Sequence, residues 1–305
     1  MSNIRFLKRT ELDEQKWNEA INNSFNSLPY ALSWYLDAIA ENWGALVLND
    51  FEAVMPVVWL RKLGIKCLYQ PYYCQQLGVF SARPLSAETH RAFLTEAANR
   101  FSYIHVNLNP TGAAVADDFS LAQKKNLLMV LNTEYAVAQK KYTENHRRNI
   151  TKANKAALKF SEQTDLKSFQ KFYLENVNRE KENFKLKDEK ILKKLTRTLV
   201  AKGVARIYTA ADATGVLVAG ILIVAHKSRL IAIINASSDA GKKKGASHFL
   251  FDQIIKKYSN SGLTLDFEGS SVATIARFYE GFGATEEVFY NFKSSLIKSL
   301  RQRFS

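Results

Sequence analysis

Cysteine is nearly missing from this sequence: Cys67 and Cys74 are the only two in 305 residues, beside five histidines. No Cys or His stands at the spacing of a zinc site, so a metal-dependent reaction is not expected. Long apolar runs are missing too. None approaches the roughly 20 residues that span a bilayer, and the start, Met1-Ser2-Asn3-Ile4-Arg5, lacks the apolar stretch of a signal peptide. A reduced, cytoplasmic protein is the expectation. Negative charge is the third shortage. Against 43 Lys and Arg there are 29 Asp and Glu, a formal charge of +14, which favours an anionic partner: a nucleotide cofactor, tRNA, an anionic lipid or a phosphorylated wall precursor.

The apolar share of 47% is ordinary for a globular chain, and the length suits two domains of about 150 residues each. The two halves read as degenerate copies of one unit. In the first, strands Ala53–Leu60 and Ile65–Gln70 flank the turn Arg61-Lys62-Leu63-Gly64, and a helix from Glu88 to Phe101 and a strand from Tyr103 to Asn109 follow. In the second, strands Val216–Ala225 and Leu230–Ala236 flank His226-Lys227-Ser228-Arg229, before a helix from Ser247 to Tyr258 and a strand from Leu263 to Phe267. Each copy opens with helices, at 15–22 and 32–41 in the first and at 166–180 and 188–201 in the second. Phe169, Phe172, Tyr173, Val177 and then Ile191, Leu192, Leu195, Leu199 supply the helical apolar spacing. An α+β fold follows, with domains at 1–140 and 141–305, each a mostly antiparallel sheet flanked by helices.

Between strand and helix of the second copy stands Asp239-Ala240-Gly241-Lys242-Lys243-Lys244-Gly245-Ala246-Ser247. Backbone N–H groups at such a helix start can cradle a phosphate, with Gly245 allowing close approach and the lysines supplying charge. A solvated turn is the plain alternative. Downstream come Leu265-Asp266-Phe267-Glu268-Gly269-Ser270 and then Ile275-Ala276-Arg277-Phe278-Tyr279-Glu280-Gly281-Phe282-Gly283-Ala284.

These three segments resemble the Gcn5-related N-acetyltransferase (GNAT) superfamily. The first approximates the pattern Gln or Arg, two residues, Gly, one residue, Gly or Ala, with Lys242 and Ser247 departing from it. The third is close to the helix that ends in Tyr, two residues, Gly-Phe. The whole chain is similar to tandem members that include the Fem-type peptidyltransferases. Too few residues lie between Phe160 and Lys202 for the helices of the second copy plus the helical arm of those enzymes.

The resemblance implies an acyl-coenzyme A donor, held by Lys242, Lys243, Lys244, Gly245, Ala246 and Ser247, with Asn235 bonding the pantetheine arm. It makes Tyr279 the acid that protonates the leaving group. Asp266 and Glu268 alternate along a strand, so both carboxylates share a face and either serves as general base. Each role has a structural counterpart: a core tyrosine, and carboxylates that cap a helix beginning near Ser270 and Ser271. The first copy has no lysine-glycine loop, and the strand matching the acids reads Val106-Asn107-Leu108-Asn109. Donor chemistry therefore belongs to the second domain. Tyr72, Tyr73 and Gln75 of the first are expected to wall a cleft, or to pack between domains.

Thr143 reads as an N-cap, and Arg148, Lys152, Lys155 and Lys159 then form one cationic stripe beside Arg147. The stripe is either a solvated face or a contact for acceptor phosphate. A second basic patch, Lys298-Ser299-Leu300-Arg301-Gln302-Arg303, suits weak attraction to an anionic membrane surface. The sequence thus points to an N-acyltransferase acting on an amine of a small-molecule, peptide or glycan acceptor. The alternatives are an aminoacyl-tRNA donor with a wall-precursor acceptor, and a non-catalytic module for an anionic ligand. DNA is not an expected partner.

Overall fold

The computed structural model describes residues 4–177, 184–269 and 272–295. They fall into two compact units: one runs to Lys124 and takes in the chain from Val288, and the other spans Lys125–Glu287.

The elements of the first part are β1 (Ile4–Lys8), α1 (Glu14–Asn23), α2 (Ser33–Ile39), β2 (Trp43–Leu48), β3 (Ala53–Lys62), β4 (Ile65–Tyr69), β5 (Phe80–Ser81), α3 (Ala87–Arg100) and β6 (Tyr103–Leu108). There follow β7 (Ala122–Val130), α4 (Tyr135–Lys140), α5 (Glu144–Lys155), β8 (Lys159–Gln163), α6 (Leu166–Asn176) and α7 (Leu186–Ala201). The rest is β9 (Ala205–Ala211), β10 (Leu217–His226), β11 (Arg229–Ser237), α8 (Asp239–Lys244), α9 (Ala246–Lys257), β12 (Thr264–Asp266), α10 (Ala273–Glu280) and β13 (Thr285–Ser295).

In the first unit β1, β2, β3 and β4 pair antiparallel in that order, β4 pairs parallel with β6, and β6 pairs antiparallel with β13. The second unit has the same pattern. Strands β8, β9, β10 and β11 are antiparallel neighbours, β11 is parallel to β12, and β12 is antiparallel to β7. A parallel pair needs a crossover between its strands; α3 serves one unit and α9 the other. The fold is therefore α+β, with two units of the same strand pattern.

The apolar pattern explains the layers. All six residues of β2 are buried, and β10 and β11 are nearly continuous apolar runs, as strands covered on both faces must be. Helix α9 turns Phe249, Leu250, Ile254 and Ile255 inward at helical spacing. With Leu265, Phe267 and Phe282 they form the second core. Leu46, Met55, Phe93, Ile104 and Phe292 anchor the first.

Several expectations need correction. The compact units divide at Lys124/Lys125, where the sequence reading divides the chain at 140/141, and the chain from Val288 falls in the first unit. The lysine segment is not a loop, because 239–244 is the short helix α8: Ser238 caps it by accepting from the Gly241 N–H, and Lys242 pairs with Asp239 one turn back. Helix α5 ends at Lys155, and Ala157 turns left-handed at φ 51°, so Lys159 opens β8 and stands apart from the helical stripe. Ser270, Ser271 and the basic segment Lys298–Arg303 lie outside the described residues.

Candidate active site

Strand β12 pairs with β11 only over Arg229–Ile231, so the later residues of β11 have no partner strand on that side among the described residues. At the same place β11 carries a bulge. Leu222 faces Ile234 and Ile223 faces Ala232, which leaves Ile233 as an extra residue that bends the strand. A cavity of about 360 Å³ opens there, lined by Ile233, Ile234 and Asn235 from β11, Ser247 from α9, Tyr173 from α6, and Thr274, Ile275, Phe278 and Tyr279 from α10.

Tyr279 is 6% exposed, and its ring stacks on Phe267 at 4.8 Å. The Asn235 amide donates to its hydroxyl at 3.4 Å. Burial pushes the phenol up to about 12; the Glu268 charge acts in the same direction and the Asn235 bond opposes it. The hydroxyl is thus protonated at neutral pH and able to donate.

Asp266 and Glu268 do not share a strand face. β12 ends at Asp266, and Glu268 is left-handed at φ 52°, which breaks the alternation. Asp266 is 1% exposed. One of its oxygens accepts from Arg229 at 3.0 Å and the other from the Glu268 N–H at 2.9 Å, while Arg229 also pairs with Glu287 at 2.8 Å. Burial raises the Asp266 carboxyl, and the Arg229 charge opposes that. Asp266 is not among the residues lining the cavity. Its place is an ion-pair network with Arg229 and Glu287.

Of the residues expected to hold a cofactor, Asn235 and Ser247 line the cavity; Lys242, Lys243, Lys244, Gly245 and Ala246 do not. The Ser247 hydroxyl is hydrogen-bonded to that of Ser237 at 2.7 Å. Lys242 is paired with Asp239 and Lys244 with Asp212, each at 2.9 Å. Gly245, at φ 73°, allows a close approach of another kind: a Cβ there would lie 2.6 Å from the Asn149 carbonyl of α5. Its N–H donates to the Gly241 and Lys242 carbonyls.

Arg147 and Arg148 are exposed on α5, and Arg148 donates to Asn145 at 3.1 Å. Tyr72, Tyr73 and Gln75 belong to the first unit. The two tyrosine rings meet edge to face at 4.7 Å, Tyr35 donates to the Tyr73 carbonyl at 2.6 Å, and Asn107 donates to the Gln75 carbonyl at 2.9 Å.

Sequence reasoning missed Ile233, because a bulge leaves no compositional mark, and gave Tyr173, which is buried and also lines the cavity, no place at the site. It also missed His146. From α5 this buried imidazole bonds the Phe278 carbonyl through Nε2 at 2.7 Å and the Thr143 hydroxyl through Nδ1 at 2.8 Å. The carbonyl can only accept, so Nε2 carries the proton and Thr143 donates to Nδ1. Thr143, the N-cap of α5, also donates its N–H to the Gly281 carbonyl at 3.0 Å, which ties that cap to the end of α10.

Comparison with known proteins agrees with this fold. Residues 140–273 match the family model of an acetyltransferase (GNAT) domain, a span that ends at the first residue of α10. Over nearly the whole chain the fold is similar to FemX, with a TM-score of 0.65 at 11% identity, covering 98% of this chain and 99% of that one. It is also similar to a conserved protein of unknown function from Bacteroides thetaiotaomicron (TM-score 0.61, 8% identity, 96% and 100% covered) and to L-PGS from Bacillus licheniformis (TM-score 0.53, 12% identity, 85% of each covered). No curated protein matches in sequence. Residues 140–273 thus match a GNAT-type domain, within a fold similar to that of FemX. Among the described residues no helix is long and apolar enough to cross a membrane, and no cluster of His, Cys, Asp or Glu could hold a metal ion.

Proposed function

We propose that the chain is an N-acyltransferase that moves an acyl group from acyl coenzyme A to an amine on a peptide-like or sugar-like acceptor. One observation carries the reading: a protonated, buried Tyr279 hydroxyl stands at a cavity beside Asn235 and the unpaired edge of β11. That edge and the Asn235 amide suit the amides of a pantetheine arm, and Ser247 in the first turn of α9 is the nearest helix start for its phosphates. The acceptor amine attacks the thioester carbonyl, its proton passes to Glu268, which does not line the cavity but whose charge reaches Tyr279, and the tetrahedral oxyanion collapses with loss of a thiolate that takes the Tyr279 proton. Arg147 and Arg148 are left to meet an anionic acceptor.

An aminoacyl-tRNA donor is the second reading. It is favoured by the Asp partners of Lys242 and Lys244, which spend charge that a coenzyme pyrophosphate would use. Calorimetric titration with acetyl coenzyme A separates the two. Saturable binding that Ile233→Trp abolishes by filling the cavity supports the first. Binding of aminoacyl-tRNA alone transfers the role to the second, and binding of neither sinks both.

A further inference from the structure

The turn between β3 and β4 is built at a conformational cost that the fold does not require. Lys62 pairs with Ile65, so the turn is two residues long, and both Leu63 (φ 50°) and Gly64 (φ 79°) lie in the left-handed region. Asn or Gly adopts that conformation more readily than leucine. Yet Leu63 is there, 93% exposed, and Ile65 beside it is 48% exposed. Single exposed apolar residues are ordinary; two at a protruding tip, one of them against its backbone preference, are not.

The surroundings are cationic. Arg61 and Lys62 precede the tip and Lys66 follows it, and no Asp or Glu occurs from Ala53 to Ala87. Arg61 and Lys66 are direct cross-strand partners, so their side chains share one face of the hairpin. Further down, half-buried Trp59 and Lys66 line a cavity of about 280 Å³ with Phe6, Asn99, Arg100 and Phe101. The Arg100 guanidinium lies 5.0 Å over the Phe6 ring and pairs on one edge with Glu96. Apolar tip, cations one or two residues behind it and an indole below them follow the polarity profile of a bilayer surface.

We propose that the β3–β4 hairpin docks on an anionic lipid bilayer, with Leu63 and Ile65 entering the interface, Arg61, Lys62 and Lys66 at headgroup level, and the Trp59 cavity behind them. A nucleic acid would use the cations but not the leucine. This inference is independent of the acyl-transfer reading, which concerns the other unit.

The test is sedimentation of the full chain with phosphatidylcholine vesicles, with and without phosphatidylglycerol, and with Leu63→Asn and Lys62→Glu variants. Leu63→Asn suits the left-handed turn, so its melting temperature should hold or rise while binding to the anionic vesicles falls by about tenfold or more. Lys62→Glu should weaken binding only where the anionic lipid is present. Undiminished vesicle binding by Leu63→Asn, equal binding to both vesicle types, or no binding at all overturns the proposal. Retention of a single-stranded RNA by Leu63→Asn, with no dependence on lipid, would reassign the surface to nucleic acid.

Discussion

His146 stands in the space that any side chain on Gly281 would need. A Cβ at residue 281 would lie 2.0 Å from Cε1 of the imidazole, and the same ring holds the carbonyl of Phe278 at 2.7 Å. Phe278 is the residue before Tyr279, so a histidine on α5 fixes the turn of α10 that carries the candidate acid. Glycine at 281 answers a demand from packing, since its φ is an ordinary −63°.

Gly281→Ala tests that relationship. The added methyl must push the ring off the Phe278 carbonyl, and overpacking of this kind costs about 1–3 kcal/mol. If the histidine positions Tyr279, turnover should fall with little change in donor affinity. His146→Gln, whose amide nitrogen reaches the place of the ring Nε2 and keeps a donor to the carbonyl, should recover part of it. Equal loss of both parameters would mark a purely structural effect.

His248 gives a pH signature. Its Nε2 is buried and makes no hydrogen bond among the described residues, and its ring meets those of His146 at 4.7 Å and Phe278 at 4.8 Å. Burial, and secondarily the His146 charge, push the imidazole down to about 4 from 6.5. The unfolded chain therefore takes up a proton first, and stability that is complete above pH 6.5 is lost as the pH falls toward 4. His248→Leu should remove about 2 kcal/mol of that acid sensitivity while leaving the protein as stable at pH 8. Parallel stability curves for the two proteins between pH 4 and 6.5 would refute it.

Much of this architecture is legible in the sequence, because the apolar runs of β10, β11 and α9 and the repeated element order are local patterns. The strands that complete the sheets are not. β13, at the C-terminal end, pairs with β6 of the first unit, and β7, which precedes the second unit's helices, pairs with β12. Long-range pairing of this sort has no periodicity of its own, so a division at 140/141 looked natural. At the site, Tyr279 and Asn235 could be found from the residues around them. The left-handed turn at Glu268, the bulge at Ile233 and the helix that absorbs the lysines depend on caps and registers that spacing rules do not read.

The Asp266–Arg229–Glu287 network predicts a separation of stability from activity. Removing one partner of a buried ion pair costs about 3–5 kcal/mol. Arg229→Met strands Asp266, 1% exposed, beside Glu287, and should therefore be severely destabilising. Asp266→Asn keeps the acceptor for Arg229 and should cost less. Where it remains folded it should retain turnover, because the carboxylate is not at the cavity. Abolished turnover in a stable Asp266→Asn protein would instead make Asp266 the base.

Tyr279→Phe carries two readouts. The phenyl ring keeps its stacking on Phe267, so acetyl coenzyme A should bind as before while acyl transfer falls by about two to four orders of magnitude, the range for loss of a general acid. The folded phenol titrates at about 12, above its ordinary 10. Its contribution to stability is therefore complete below pH 10 and is lost as the pH rises toward 12. Wild type should lose about 2–3 kcal/mol relative to the variant across that window. The two effects need not travel together: a core tyrosine with no part in the reaction would show the alkaline loss and leave turnover intact, and that combination would end the assignment of Tyr279 as the acid.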